Sequence, residues 1–138
     1  MIRERLHGYR YEKAIVGFGG KPTLWWMHFL KKGFYHCFVA LGRQNEWLII
    51  DPLLHFTDVI MLRDVNIYSF FKKRGYRFIE VPLNEPHYKR LRVMPYTCVE
   101  TAKRFIGVEK SMILTPYGLF CYLNKKNRKK ILDNWLKM

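Results

Sequence analysis

The chain has 138 residues, 49% hydrophobic and 17% aromatic, which suits one folded domain with a buried core and excludes a disordered chain. Its 25 Lys+Arg against 11 Asp+Glu give a formal net charge of +14, which points to polyanionic surroundings: nucleic acid, anionic membrane or anionic cell-wall polymer. No apolar run approaches the roughly 20 residues of a membrane span. Met1-Ile2-Arg3-Glu4-Arg5-Leu6-His7 lacks the apolar core of a signal peptide, so a cytoplasmic protein is expected, with any delivery by other means.

In chain order, Lys13 to Phe18 reads as a short strand ended by Gly19-Gly20-Lys21-Pro22. Thr23 to Leu30 is apolar, and its periodicity does not choose between helix and strand. Phe34 to Leu41 has the pattern of a buried strand, Gly42-Arg43-Gln44-Asn45 of a turn, and Glu46 to Asp51 of a second strand ended by Pro52. Residues 56–62 and 77–82 are further strand candidates, with 65–73 undecided between them. Thr97, followed three residues later by Glu100, is a capping box for a helix over 98–106, and Gly107 supplies its stop. Thr115-Pro116 starts another helix, to about Leu123. Residues 126–138 read as a basic amphipathic helix: Ile131, Leu132, Trp135, Leu136 and Met138 share a face opposite lysines. Such a helix either packs on the domain or lies on an anionic surface. One domain over 1–138, of α+β class, is the expectation.

Cys98 falls at the first position of the capped helix, where free N–H groups and the helix dipole favour an anion. A thiol there should ionise more easily than usual and be the better nucleophile. Such a nucleophile needs a base, usually His, and a group that orients the base. Among His7, His28, His36, His55 and His87, His36 stands in the most strand-like segment. If Gly42 to Asn45 form a four-residue hairpin loop, Leu41 pairs with Glu46 and His36 lies directly opposite Asp51. Asp51 also reads as a turn residue before Pro52, and His55 and His87 stay open as alternative bases. Cys37 must point to the other face of its strand from His36 and reads as core, as does Cys121. The three cysteines do not form a disulfide framework. No CxxC, HxxxH or HExxH spacing and no Walker loop is present, so neither a metal nor another cofactor is implied.

His36, Trp47, Asp51-Pro52 and then Cys98, in that order, resemble a known pattern. The first three are similar to the His…Trp…Asp-Pro segment of transglutaminase-like and other papain-fold enzymes. A Cys helix that follows the His strand resembles the circularly permuted, NlpC-like branch of that fold, with its lecithin–retinol acyltransferase relatives. The resemblance spans roughly residues 34–107. It implies a papain-like antiparallel sheet with the Cys helix packed on it, Cys98 as nucleophile, His36 as base and Asp51 as orienting acid. Permuted relatives often carry a polar group other than Asp as the third member. The Cys98 N–H would be one oxyanion donor, with Tyr96 and Tyr35 as candidates for a second.

The function this implies is a cysteine peptidase, amidase or acyltransferase acting on a peptide or acyl substrate through a thioester. The positive charge suits a cell-wall polymer, and a phage or mobile-element protein is one setting for it. Trp25, Trp26, Trp47 and Tyr96 would line a cleft or fill the core. A different class of reading is a non-catalytic nucleic-acid-binding protein, resting on the charge and on aromatic residues among Lys and Arg, as in Tyr68 to Tyr76. A third is a fold kept for assembly after catalysis was lost.

Overall fold

The computed structural model describes residues 11–53, 55–82, 97–110 and 112–137. Strand β1 (Lys13–Gly19) leads through a 3-10 helix (Trp25–Phe29) to β2 (His36–Arg43), β3 (Glu46–Pro52) and β4 (Thr57–Arg63). Helix α1 (Ile67–Lys72), strand β5 (Arg77–Val81), helix α2 (Cys98–Ile106) and helix α3 (Pro116–Leu136) complete the chain. The five strands form one sheet in the order β4-β3-β2-β1-β5, with every neighbouring pair antiparallel. The fold is α+β.

Alternation along the central strands gives the sheet two apolar faces. Ala14, Val16 and Phe18 of β1, with Cys37, Val39 and Leu41 of β2, pack under Val99, Ala102 and Ile106 of α2 and Leu119 and Leu123 of α3. The intervening residues Ile15, Phe38, Ala40, Trp47 and Ile49 face the opposite way, against Ile67 of α1. On that second face large rings lie over cross-strand glycines: a Cβ on Gly17 would meet Phe38 at 2.3 Å, and one on Gly42 would meet Trp47 at 2.6 Å.

The β2–β3 hairpin differs from the expected one. Arg43, not Leu41, pairs with Glu46, so the turn is the two residues Gln44-Asn45. Gln44 takes the left-handed conformation the turn needs, at φ 51°. Gly42 looked like the turn glycine, yet it stands in β2 opposite Trp47, where only a missing side chain leaves room for the indole.

The two C-terminal helices of the sequence reading are one helix. The polar stretch Asn124 to Asn127 does not interrupt α3, and Asn127 Nδ2 donates to Glu80 O at 3.1 Å. Trp135 and Leu136 near its end are exposed, so they do not pack on the domain. Met138 lies outside the described residues. Cys121, expected in the core, is exposed on α3. Among the described residues no helix is long and apolar enough to cross a membrane.

Candidate active site

His36 opens β2, and its Nε2 is hydrogen-bonded to Oδ1 of Asp51, near the end of β3. The described β2–β3 ladder ends at Val39–Ile50. Carried on, that register would put Leu53, not Asp51, opposite His36. The expected pairing is therefore off by two residues. Because the side-chain period in a strand is also two, Asp51 keeps the same face as His36 and reaches it diagonally.

Helix α2 is capped at its start. Thr97 Oγ1 accepts from the Glu100 N–H at 3.1 Å, and Thr101 N–H donates to Thr97 O at 2.9 Å. The other half of the capping box is replaced, because the Glu100 carboxylate goes to Lys103 Nζ at 3.0 Å and Arg104 Nε at 3.2 Å. Gly107 ends the helix at φ 73°. Lys103 is 1% exposed and also donates to the Lys110 and Ile113 carbonyls, at 2.8 and 3.1 Å. It thereby ties the connection to α3 onto the helix that carries Cys98.

Cys98, at the first position of α2, is half-buried beside the α2 face of the sheet. The His36 side chain, the Cys37 thiol and the Cys37 backbone all act on its sulfur to favour the thiolate. The Cys37 S–H is the largest influence that lowers the Cys98 pKa. Burial opposes it, the His36 hydrogen bond and charge assist it, and the pKa falls from 9.0 to about 5. The Cys37 thiol moves the other way: its hydrogen bond to Cys98 and its burial push its pKa well up.

Burial alone would lower the pKa of His36. Hydrogen bonds to Asp51 and Cys98, and the charges of both, overcome burial and raise it from 6.5 to about 9. Between about pH 5 and 9 the pair is a thiolate and an imidazolium. Asp51 takes Nε2, so Nδ1 is the ring nitrogen left for the sulfur.

Two glycines give this corner its space. Gly19 pairs with His36, and a Cβ on it would lie 2.8 Å from the Tyr76 ring. Gly20, at φ +87°, would bring a Cβ to 3.0 Å from His36 Cβ. Tyr76 is half-buried; burial and the Asp51 charge raise its phenol pKa.

Cys98, His36 and Asp51, chosen from the sequence, therefore meet. Cys37 belongs to the site as well, and it was missed as a contributor. Alternation along β2 puts Cys37 on the face opposite His36, and α2 covers that face. Trp47 is buried under α1, whereas Trp25 and Trp26 are exposed. His28 and His55 are exposed, while His7, His87 and Tyr96 lie outside the described residues. The Tyr35 N–H donates to Gly19 O at 3.1 Å and so anchors the start of β2. Among the described residues no group of three or more His, Cys, Asp or Glu is arranged to hold a metal ion. Comparison with family models, with curated proteins and with solved structures finds no match.

Proposed function

We propose that the chain is a cysteine-dependent hydrolase or acyltransferase that cleaves an amide or ester through a thioester on Cys98. The observation that carries this reading is the convergence on His36 of Asp51, to which it is hydrogen-bonded, and of the Cys98 thiol, whose ionised form it favours. The order His36, Asp51, Cys98, and a capped Cys helix lying on an antiparallel sheet, further support a permuted papain-like, NlpC-like arrangement.

In this mechanism the Cys98 thiolate attacks the substrate carbonyl carbon, and the oxyanion is met by the Cys98 N–H at the helix start. As the tetrahedral intermediate collapses, the bond to nitrogen or oxygen breaks and His36 gives its proton to the leaving group. Water or another acceptor then attacks the thioester, losing its proton to His36, and the carboxylate or new acyl product departs with the thiolate restored. Asp51 holds the imidazole and stabilises its charge. The net charge of +14 suits an anionic substrate context such as a cell-wall peptide polymer.

The test is alkylation by iodoacetamide across pH, followed by peptide mapping. One thiol, Cys98, should react fast well below pH 8, and Cys98→Ala should abolish that phase. Mass spectrometry after an activated acyl ester should find the acyl group on Cys98. Three equally slow thiols would overturn the reading and leave the charge-driven nucleic-acid alternative in its place.

A further inference from the structure

The connection between β1 and β2 is anchored at both ends and apolar in the middle. The Tyr35 N–H donates to Gly19 O at 3.1 Å, and Phe34 is buried against the sheet. Between these anchors the five residues Trp25-Trp26-Met27-His28-Phe29 form a 3-10 helix with no buried residue. Trp25 is 77% exposed, Phe29 84% and Trp26 44%. Trp25 and Phe29 meet edge to face, with ring centroids 6.3 Å apart.

A short helix this apolar normally buries its residues. Here their transfer from water is not realised within the described chain, and a contiguous exposed apolar patch marks a contact surface. The surroundings of the patch name its partner. Lys21, Lys31 and Lys32 flank it and are exposed, and no Asp or Glu occurs from residue 13 to residue 45. Tryptophan favours the boundary between hydrocarbon and headgroups, and lysines beside it favour anionic headgroups. Leu24, Met27 and Leu30 accompany the rings; a stacking platform for bases has no use for them, whereas an apolar medium does.

We propose that this connection is a membrane-docking element: Trp25, Trp26 and Phe29 enter the interface of an anionic bilayer, and Lys21, Lys31 and Lys32 engage its headgroups. Docking so would turn the Gly19–His36 end of the sheet toward the lipid. The proposal does not depend on the chemistry of Cys98.

The test is co-sedimentation of the full chain with phosphatidylcholine vesicles that contain phosphatidylglycerol, against phosphatidylcholine alone. The anionic vesicles should bind the protein. Trp25→Ser/Phe29→Ser should weaken that binding about tenfold or more, and each of Lys31→Ser and Lys32→Ser about fivefold. Brominated acyl chains should quench tryptophan emission, and less so in Trp25→Phe/Trp26→Phe. These side chains are exposed, so the variants should keep the parent's circular dichroism. Cys98→Ala should bind as the parent does, which separates this result from the catalytic one. Equal binding by the Trp25/Phe29 variant, or no sedimentation of the parent with either vesicle, overturns the proposal. So does self-association of the parent that disappears in that variant without vesicles, or DNA binding lost in that variant while the vesicles stay empty.

Discussion

The imidazole of His36 and the carboxylate of Asp51 are joined across the open end of a hairpin, beyond its last described ladder pair, Val39–Ile50. Strand ends are where backbone pairing stops and side chains are free to converge. Cys98 reaches the same place from the other direction, at the first turn of a helix lying on the sheet.

Asp51 supports the charge on His36, so Asp51→Asn should lower the histidine pKa from about 9 toward its ordinary value. The alkaline limb of turnover should move down by about a pH unit or more. Loss of the orienting group should reduce kcat/KM about tenfold or more. Plots of kcat/KM against pH for parent and variant check both. An unchanged alkaline limb would refute the role given to Asp51.

The thiolate–imidazolium pair sets the pH window. Thiolate forms as pH rises through about 5, and the imidazolium is lost as pH rises through about 9. Turnover should therefore rise across the first and fall across the second, because the leaving group needs the His36 proton. Alkylation should rise at the acid limb and persist above the alkaline one, since it needs thiolate alone.

The same site shows what the sequence carried. Helix α2 is signed at both ends by Thr97 and Gly107, so its limits were legible to the residue. The His36–Asp51 contact was also legible, but its register was not. Gly42 is the natural turn residue locally; its duty, making room for the Trp47 ring across the strand, is long-range. Helix α3 runs through the polar stretch Asn124 to Asn127, where Asn127 meets strand β5 by a hydrogen bond and not by an apolar side chain, so the apolar period alone does not carry the helix across. The thiol of Cys37 was assigned to the core correctly, yet its contact with Cys98 requires knowing which face α2 covers.

Cys37 makes the next prediction. Its S–H is the leading influence that lowers the Cys98 pKa, so Cys37→Ala should raise that pKa and slow alkylation near pH 6. Cys37→Ser keeps a donor on the same Cβ and should restore much of the rate. The acid limb of the alkylation profile measures both; Ala and Ser variants with the parent's limb would remove Cys37 from the site.

Gly20→Ala probes the space around His36. The new Cβ would stand 3.0 Å from His36 Cβ, on a backbone at φ +87° where a side chain is strained. A destabilisation of about 1–2 kcal/mol is expected from the backbone alone. Displacement of His36 should also raise the Cys98 pKa, because the imidazolium supports the thiolate. Urea unfolding and the alkylation profile report the two effects separately.

Lys103 sits at the centre of the last prediction. Its ammonium is 1% exposed and bonded to Glu100, itself 3% exposed, and to two carbonyls of the α2–α3 connection. Burying such a pair contributes little net stability, but removing one partner is costly: without Lys103, buried Glu100 keeps the exposed Arg104 alone and two carbonyls lose their donor. Lys103→Met should therefore destabilise the fold by about 3–5 kcal/mol, a large share of the roughly 5–15 kcal/mol available to a domain. Glu100→Gln/Lys103→Met removes both charges and should recover part of that loss, though the Lys110 and Ile113 carbonyls stay unpaired. Two residues before Lys103 in the same helix, the Thr101 hydroxyl is buried with no partner among the described residues, so Thr101→Val should be neutral or stabilise by up to about 1 kcal/mol. Urea midpoints at constant m rank the three. Because Glu100 is also the third residue of the Cys98 helix, the double variant, once folded, should keep the parent's alkylation limb; a shifted limb would mean that the ion pair tunes the thiol as well as holding the helix.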